Sequence, residues 1–178
     1  MKKAVDLKRK AYLYPTPALV IGTMAGGKVN WSTVAYHGIL DSQTILLTIE
    51  SSHLTTKTIR EVGRFSVNIP SSKDAKCTDY VGTRSGNICD KSQYFPCTLF
   101  DSAVPVIDTF GLSYICRMEE CYEKNGKTYV IAAVTDVLAE ETLVQEDGLI
   151  DPVKLDPLLF DWTGYYRMGD YVGRPFSR

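Results

Sequence analysis

The stretch of sequence that decides the fold is residues 112–138, LSYICRMEECYEKNGKTYVIAAVTDVL. Its two halves, 112–122 and 129–138, contain many of the β-branched and aromatic residues that strands favour. Between them lies Asn125-Gly126, a dipeptide that tolerates the positive φ angles of a tight hairpin turn. The stretch therefore predicts two antiparallel strands joined by a short turn.

Further short strands are expected before and after this hairpin. Gly26-Gly27 predicts a second tight turn, because it follows a continuous apolar run and precedes another strand-like segment. Two other segments place their apolar side chains on one face by alternation, as half-buried strands do. The additional predicted strands are residues 18–25, 29–36, 44–50, 65–69 and 161–166.

One helix interrupts these strands. Thr55, Ile59 and Val62 recur at helical spacing within residues 54–62, and Gly63 follows as a stop signal. Six or more short strands with antiparallel turns and a few short helices indicate an all-β barrel. No repeat, low-complexity stretch or linker divides the sequence, so a single domain over residues 1–178 is expected.

Composition and charge exclude several classes of protein. The 178 residues are 44% hydrophobic, which suffices for an ordinary globular core. A formal net charge of −1 is not that of a nucleic-acid-binding domain. The basic cluster is expected to be a solvated arm and consists of Lys2, Lys3, Lys8, Arg9 and Lys10.

A cytoplasmic protein that does not enter the membrane is expected. No apolar run approaches the roughly 20 residues that span a bilayer, and the start of the chain has no secretory h-region. The five cysteines contain no Cys-x-x-Cys pair, which argues against zinc and thioredoxin-type sites. His37 and His53 have no cluster of further ligands nearby in the sequence, so a metal site is not expected.

The segment most informative about chemistry is SSHLTTKTIR, residues 51–60. It places five hydroxyls, a histidine and two cations at the start of the predicted helix, without an acidic residue. Helices usually favour Asp or Glu in the first turn because the positive end of the dipole attracts negative charge. A first turn without carboxylates indicates a site for an external anion such as a phosphate. The alternative is that Ser51 or Ser52 caps the helix.

Two further segments carry candidate binding residues. In NWSTVAY, residues 30–36, a strand would place Asn30, Ser32 and Tyr36 on one face. That face suits hydrogen bonding and stacking against a flat heterocycle, and the alternative is a side of the strand that faces solvent. In GTRSGNICDK, residues 82–91, Ser85-Gly86 predicts a turn that permits close backbone approach to a ligand. Lys91 would bring a cation into the pocket, or would be a solvated surface lysine.

Taken together, these segments resemble the flavoredoxin and flavin-reductase-like family over nearly the whole chain. Five short motifs occur in the family's order at suitable spacing, and the tail resembles the family's closing strand and turn. The matching residues are Pro15 and Pro17; Asn30, Thr33 and Tyr36; His53, Thr55 and Ile59; residues 65–70; Ser85, Gly86, Asp90 and Lys91; and, in the tail, Pro157, Leu158, Tyr166, Met168, Gly169 and Gly173.

The resemblance implies an antiparallel Greek-key split β-barrel that forms a homodimer, with FMN bound near the subunit interface. Carried over by position, the residues lining the isoalloxazine ring and the ribityl chain would be Asn30, Ser32, Thr33 and Tyr36. Those taking the phosphate would be Ser51, His53 and Thr55, with Ser85 and Gly86 in the adjacent loop and Lys91 close to the flavin.

Three departures from the family pattern are visible. His53 replaces the usual arginine at the phosphate, so a lower or pH-dependent phosphate affinity is expected, because a histidine is neutral over much of the physiological range. Tyr36 replaces the usual tryptophan on the second strand. Lys127 and Thr128 follow Gly126 where the family commonly has Asp and His, so a histidine near the flavin is missing.

The leading interpretation of function is a flavin reductase-like oxidoreductase that takes hydride from NAD(P)H, bound transiently, onto FMN. The runner-up is a flavoredoxin-type carrier that keeps its FMN and shuttles electrons between redox protein partners without oxidising NAD(P)H. The third is a non-redox FMN-binding sensor or storage dimer. Fold analogy does not choose among them.

Overall fold

Antiparallel strands dominate the computed structural model, which describes residues 1–6 and 11–175. The strands in these residues are β1 (Thr16–Pro17), β2 (Leu19–Ala25), β3 (Lys28–Val34), β4 (His37–Ile39), β5 (Thr44–Glu50), β6 (Arg64–Ile69), β7 (Cys97–Phe100), β8 (Val104–Ile107), β9 (Leu112–Lys124), β10 (Lys127–Ala139), β11 (Leu159–Asp161) and β12 (Gly164–Tyr166). The helices are α1 (Leu54–Val62), α2 (Ala75–Thr83) and the single turn α3 (Pro152–Leu155), with short 3-10 helices at Ser72–Asp74 and Glu141–Leu143.

The main sheet has seven strands in the order β3-β2-β6-β9-β10-β5-β4, and all neighbours are antiparallel. Its longest element is the hairpin predicted from residues 112–138. Lys124 pairs with Lys127 across a turn in which Asn125 and Gly126 have φ angles of 55° and 75°. The turn conformation that Asn-Gly predicted is therefore confirmed.

The two edges of this sheet lie close together in space. β3 ends at Val34 and β4 begins at His37, although these strands occupy opposite edges. Three Cα-to-Cα steps span at most about 11 Å, so the sheet has to curl until its edges nearly meet. The backbone N–H of Thr48 on β5 donates to the carbonyl of Tyr36 at 2.9 Å, which extends the pairing of β4 with β5 to the residue before β4. The predicted split barrel is confirmed.

Side chains alternate between two apolar clusters on the two faces of the sheet. On β2, Leu19 and Ile21 belong to the larger cluster, which includes Ile59 of α1. Val20 points the other way, into a smaller cluster with Trp31 and other side chains, including Val81 of α2. The two helices thus flank β2 and β3 from opposite faces.

The predicted helix over 54–62 is confirmed at both ends. Gly63 adopts a φ of 74°, in the left-handed region that glycine enters at little cost. Its N–H donates to the carbonyl of Ile59 at 2.8 Å. The helix α2 and the hairpin β7–β8 were not expected. The strand predicted over 161–166 is wrong in part, because β11 and β12 form a hairpin whose turn is fixed by the Thr163 N–H donating to Asp161 at 2.7 Å.

Lys2 and Lys3 are exposed, whereas Lys8, Arg9 and Lys10 of the predicted basic arm lie outside the described residues. All five cysteines are free thiols. Across residues 1–6 and 11–175, none of the helices has the length and apolar character needed to cross a bilayer.

Candidate functional site

A cavity of about 130 Å³ lies beside the edge strand β3, between the start of α1 and the end of α2. A neighbouring cavity of about 320 Å³ shares Leu54, Gly86 and Lys91 with it and extends to Asn30. The smaller cavity contains six of the ten predicted site residues. Its lining is Ser32, His53, Leu54, Thr55, Gly82, Thr83, Arg84, Ser85, Gly86 and Lys91.

The start of α1 presents uncapped backbone N–H groups. The cap position is His53, no side chain caps it, and the first turn holds no acidic residue. Ser51 instead exchanges a hydrogen bond with Thr128 at 2.9 Å. The alternative that Ser51 or Ser52 caps the helix is therefore wrong. The positive end of the helix dipole faces the cavity without a side-chain partner.

The strand β3 is tied to α1 by a buried hydrogen bond. Asn30 donates through Nδ2 to Thr55 Oγ1 at 3.0 Å. Gly86 packs against this pair so closely that a Cβ atom there would lie 2.3 Å from Asn30 Oδ1. The Ser85-Gly86 turn thus lies directly against Asn30, and its close approach to a ligand stays a prediction.

Lys91 is buried under the site, with only 4% of its surface exposed. Its Nζ donates to the carbonyls of Val81 at 2.9 Å and Arg84 at 2.8 Å, at the end of α2. Burial lowers the pKa of Lys91, and the nearby Cys89 acts in the opposite direction. The alternative of a solvated surface lysine is wrong, because the carbonyls at the end of a helix attract a cation and need donors.

His53 is close to neutral at pH 7. Partial burial lowers its pKa, Glu50 opposes this shift, and Lys91 and Lys127 reinforce it. The imidazole therefore adds a hydrogen-bonding group to the cavity rather than a full positive charge.

Three of the predicted residues do not line the two cavities. Thr33 donates through Oγ1 to the carbonyl of Thr78 at 2.5 Å. Tyr36 is exposed beyond the end of β3, with its ring centroid 6.0 Å from that of Trp162. Ser51 is engaged with Thr128, as described above. Contact of Thr33, Tyr36 and Ser51 with a flavin stays a prediction.

Thr128 stands where the flavoredoxin and flavin-reductase-like family commonly has a histidine, and its role in this structure is to hold two elements together. Thr128 is fully buried on β10. Besides bonding to Ser51, its Oγ1 accepts a hydrogen bond from Arg60 Nη2 at 3.1 Å, and Arg60 in turn pairs with Glu123 at 3.0 Å. Thr128 therefore joins β10 to α1.

The cavity also contains residues that the sequence did not single out, and Arg84 is the one with chemical consequence. Its guanidinium carbon lies 5.4 Å from the centroid of the Tyr80 ring. The available signal was its position directly before Ser85-Gly86. The side chains of its lining residues include four hydroxyls, an imidazole, a guanidinium and an ammonium, and no acidic residue is among them. This donor set, at a helix start, suits a phosphate or another oxyanion.

Known structures with the same architecture include two flavoredoxins. The chain is 28% identical to flavoredoxin from Methanosarcina acetivorans, with a TM-score of 0.92 over 98% of this chain and 96% of that one. It is 29% identical to flavoredoxin of Desulfovibrio vulgaris (Miyazaki F), with a TM-score of 0.89 over 99% and 98% of the two chains.

The FMN-binding protein from Thermus thermophilus with bound 1-cyclohex-2-enone shares the fold at 22% identity and a TM-score of 0.84, over 98% of both chains. No protein with a curated description matches the chain. Residues 11–169, which include every residue of both cavities, match the flavin reductase like domain. The chain therefore belongs to the flavin reductase like domain family.

Proposed function

We propose that the protein binds FMN and acts as a flavin reductase-like oxidoreductase that uses NAD(P)H as a transient electron donor. The observation that carries the proposal is the cavity at the start of α1. It combines uncapped backbone N–H groups with cationic and hydroxyl side chains and no carboxylate, within a chain of the flavin reductase like domain family. The protein from Thermus thermophilus that shares this fold is an FMN-binding protein.

The residues present fit such a cofactor. The first-turn amides of α1, with His53 and Thr55, would hold the phosphate group. Asn30 and Ser32 on β3 would meet the ribityl chain and the ring, with Ser85, Gly86 and Lys91 on the opposite wall; Thr33, Tyr36 and Ser51 are retained from the sequence as further candidates. When bound, FMN supplies the redox chemistry, while the protein sets its orientation and electrostatic surroundings.

Comparison of FMN with riboflavin tests the phosphate assignment. Riboflavin lacks the phosphate, so it forfeits charge-assisted hydrogen bonds that contribute roughly 1.5–3 kcal/mol each. Calorimetry is expected to give a Kd for FMN at least about tenfold lower than that for riboflavin. Equal affinities would refute the phosphate site at the start of α1.

The electron donor is tested separately. A visible spectrum of the freshly purified protein establishes whether flavin is bound, and anaerobic titration with NADH and with NADPH then follows loss of the oxidised-flavin absorbance. Reduction by at least one of them is expected. If flavin is bound but neither the nicotinamides nor a reduced redox protein reduces it, the protein is a non-redox sensor or storage protein.

A flavoredoxin-type electron carrier is the second candidate, and the similarity at 28% and 29% identity to two flavoredoxins favours it. A carrier would keep FMN bound and exchange electrons with redox proteins without oxidising NAD(P)H. Steady-state consumption of NAD(P)H with added free flavin separates the candidates, because a reductase turns over under these conditions and a carrier does not.

The proposed active form is a homodimer. Exposed apolar side chains surround the edge strand β4, where Tyr36, Ile39 and Leu40 are 45%, 83% and 52% exposed. An apolar groove of about 420 Å³ opens beside the same strand. Edges and apolar surfaces of this kind are usually covered by a partner. The single-domain organisation and the cytoplasmic location stay predictions from the sequence.

A further inference from the structure

We propose that Arg84, at the end of α2, binds the phosphate group of FMN and thereby makes the site selective for phosphorylated flavin. The inference rests on the proposed function, because it concerns the same cavity. It adds a specificity residue from the wall opposite α1.

Three side chains of the cavity lining are basic: His53, Arg84 and Lys91. Burial lowers the pKa of His53, so the imidazole is close to neutral at pH 7. Lys91 directs its ammonium group at two backbone carbonyls. Arg84 is the basic residue of the lining that remains for an anion, and a guanidinium suits an oxyanion because its planar fork of donors matches phosphate geometry.

Four other arginines in the described part of the chain pair with acidic side chains: Arg60 with Glu123, Arg64 with Asp101, Arg117 with Glu119, and Arg167 with Asp156. Arg84 forms no such pair with a described carboxylate, although it lines a cavity with four hydroxyl groups. An arginine placed in this way offers its N–H groups to an external oxyanion.

The guanidinium carbon of Arg84 lies 5.4 Å from the centroid of the Tyr80 ring. That ring stacks on Tyr94 with centroids 4.4 Å apart and planes inclined by 5°, and the Arg84 carbonyl is held by Lys91. Contact with an aromatic face leaves the N–H edge of a guanidinium available. Arg84 is therefore oriented by its neighbours while its donors stay accessible.

The test compares FMN and riboflavin binding in the wild type and in Arg84→Gln, by calorimetry on the purified chain. The variant is expected to bind FMN about ten- to a hundredfold more weakly, the range expected for one or two charge-assisted hydrogen bonds. Riboflavin affinity is expected to be unchanged. Arg117→Gln, which removes an exposed arginine outside both cavities, is the matched control and is expected to leave both affinities unchanged.

The outcomes separate this inference from the proposed function. If the wild type prefers FMN and Arg84→Gln retains that preference, Arg84 is not the phosphate residue and the proposed site stands. If the variant loses riboflavin affinity as well, Arg84 supports the cavity walls and the inference is overturned. If the wild type does not prefer FMN over riboflavin, both fail. Arg84→Lys, which keeps a point charge but not the fork of donors, is expected to recover part of the FMN affinity.

Discussion

The ammonium group of Lys91 lies under the candidate site and forms no ion pair with an acidic side chain of residues 1–6 or 11–175. It serves two carbonyls, those of Val81 and Arg84, where α2 ends. When one partner of a buried hydrogen bond is removed, the other stays buried without a partner. This costs about 1–3 kcal/mol per group. This side chain therefore links the stability of α2 to the shape of the cavity.

Replacement of Lys91 by methionine is expected to lower the free energy of unfolding by about 1–3 kcal/mol, because two carbonyls lose their donor. Denaturant unfolding measures the change. Lys124→Met, at an exposed lysine at the end of β9, is the control and is expected to change stability by less than about 0.5 kcal/mol. Equal stabilities of the Lys91 variant and the wild type would show that water replaces the ammonium group at no cost.

The difference in stability between the wild type and Lys91→Met is expected to depend on pH. The sign of this dependence follows from the lowered pKa of Lys91. Between that lowered pKa and the ordinary value near 10.4, the unfolded chain binds more protons at this position than the folded chain. Stability contributed by this group therefore rises with pH across the window. The wild type is expected to gain stability relative to Lys91→Met as the pH increases through it, and a flat difference would contradict the burial of the ammonium group.

At the level of elements, the turn after α2 packs against β3 and α1 through Gly86. A Cβ atom there would lie 2.3 Å from Asn30 Oδ1 and 3.2 Å from Leu54 Cδ2. Gly86→Ala is expected to displace Asn30 from Thr55, to cost about 1–3 kcal/mol of stability, and to weaken FMN binding. Gly164→Ala, where a Cβ atom meets nothing within 4 Å, is the control. Thermal unfolding and calorimetry check both variants, and an unaffected Gly86 variant would mean that the turn moves freely.

Local pattern predicted some elements and could not predict others. α1 was predicted with its bounds, because its apolar spacing and Gly63 are signals within the segment itself. α2 was missed, since it buries only Thr78 and Val81 and contains Gly82, a poor helix former. The periodic signal is weak because α2 depends on packing against β3 for its stability.

The same distinction applies to the candidate site. His53 and Thr55 were identified because the residues that determine the chemistry of a helix start are adjacent in the sequence. Arg84 and the burial of Lys91 were not, because both depend on where α2 ends in space relative to β3. Thr128 was noted as a departure, but its contact with Ser51 joins positions 77 residues apart. Contacts between positions so far apart produce no periodic pattern in the sequence.

For the whole molecule, the proposed dimer is the principal expectation. Sedimentation at micromolar concentration is expected to give a dimer. Ile39→Lys is expected to shift it toward monomer, because a charge replaces an exposed apolar side chain at the sheet edge. Val153→Lys, at an exposed valine on α3, is the control and is expected to stay dimeric. A wild-type monomer that binds FMN tightly would contradict a site near a subunit interface.

The closure of the barrel by two residues has a mechanical consequence. Ala35 and Tyr36 connect β3, which borders the cavity, to β4, which borders the exposed apolar surface. This two-residue connection can extend very little. A shift of β4 along its neighbour β5 would therefore displace the end of β3. Force applied at one edge of the sheet is thus transmitted to the other without passing through the five strands between them. The proposed assembly at β4 would therefore alter the dimensions of the cavity at β3.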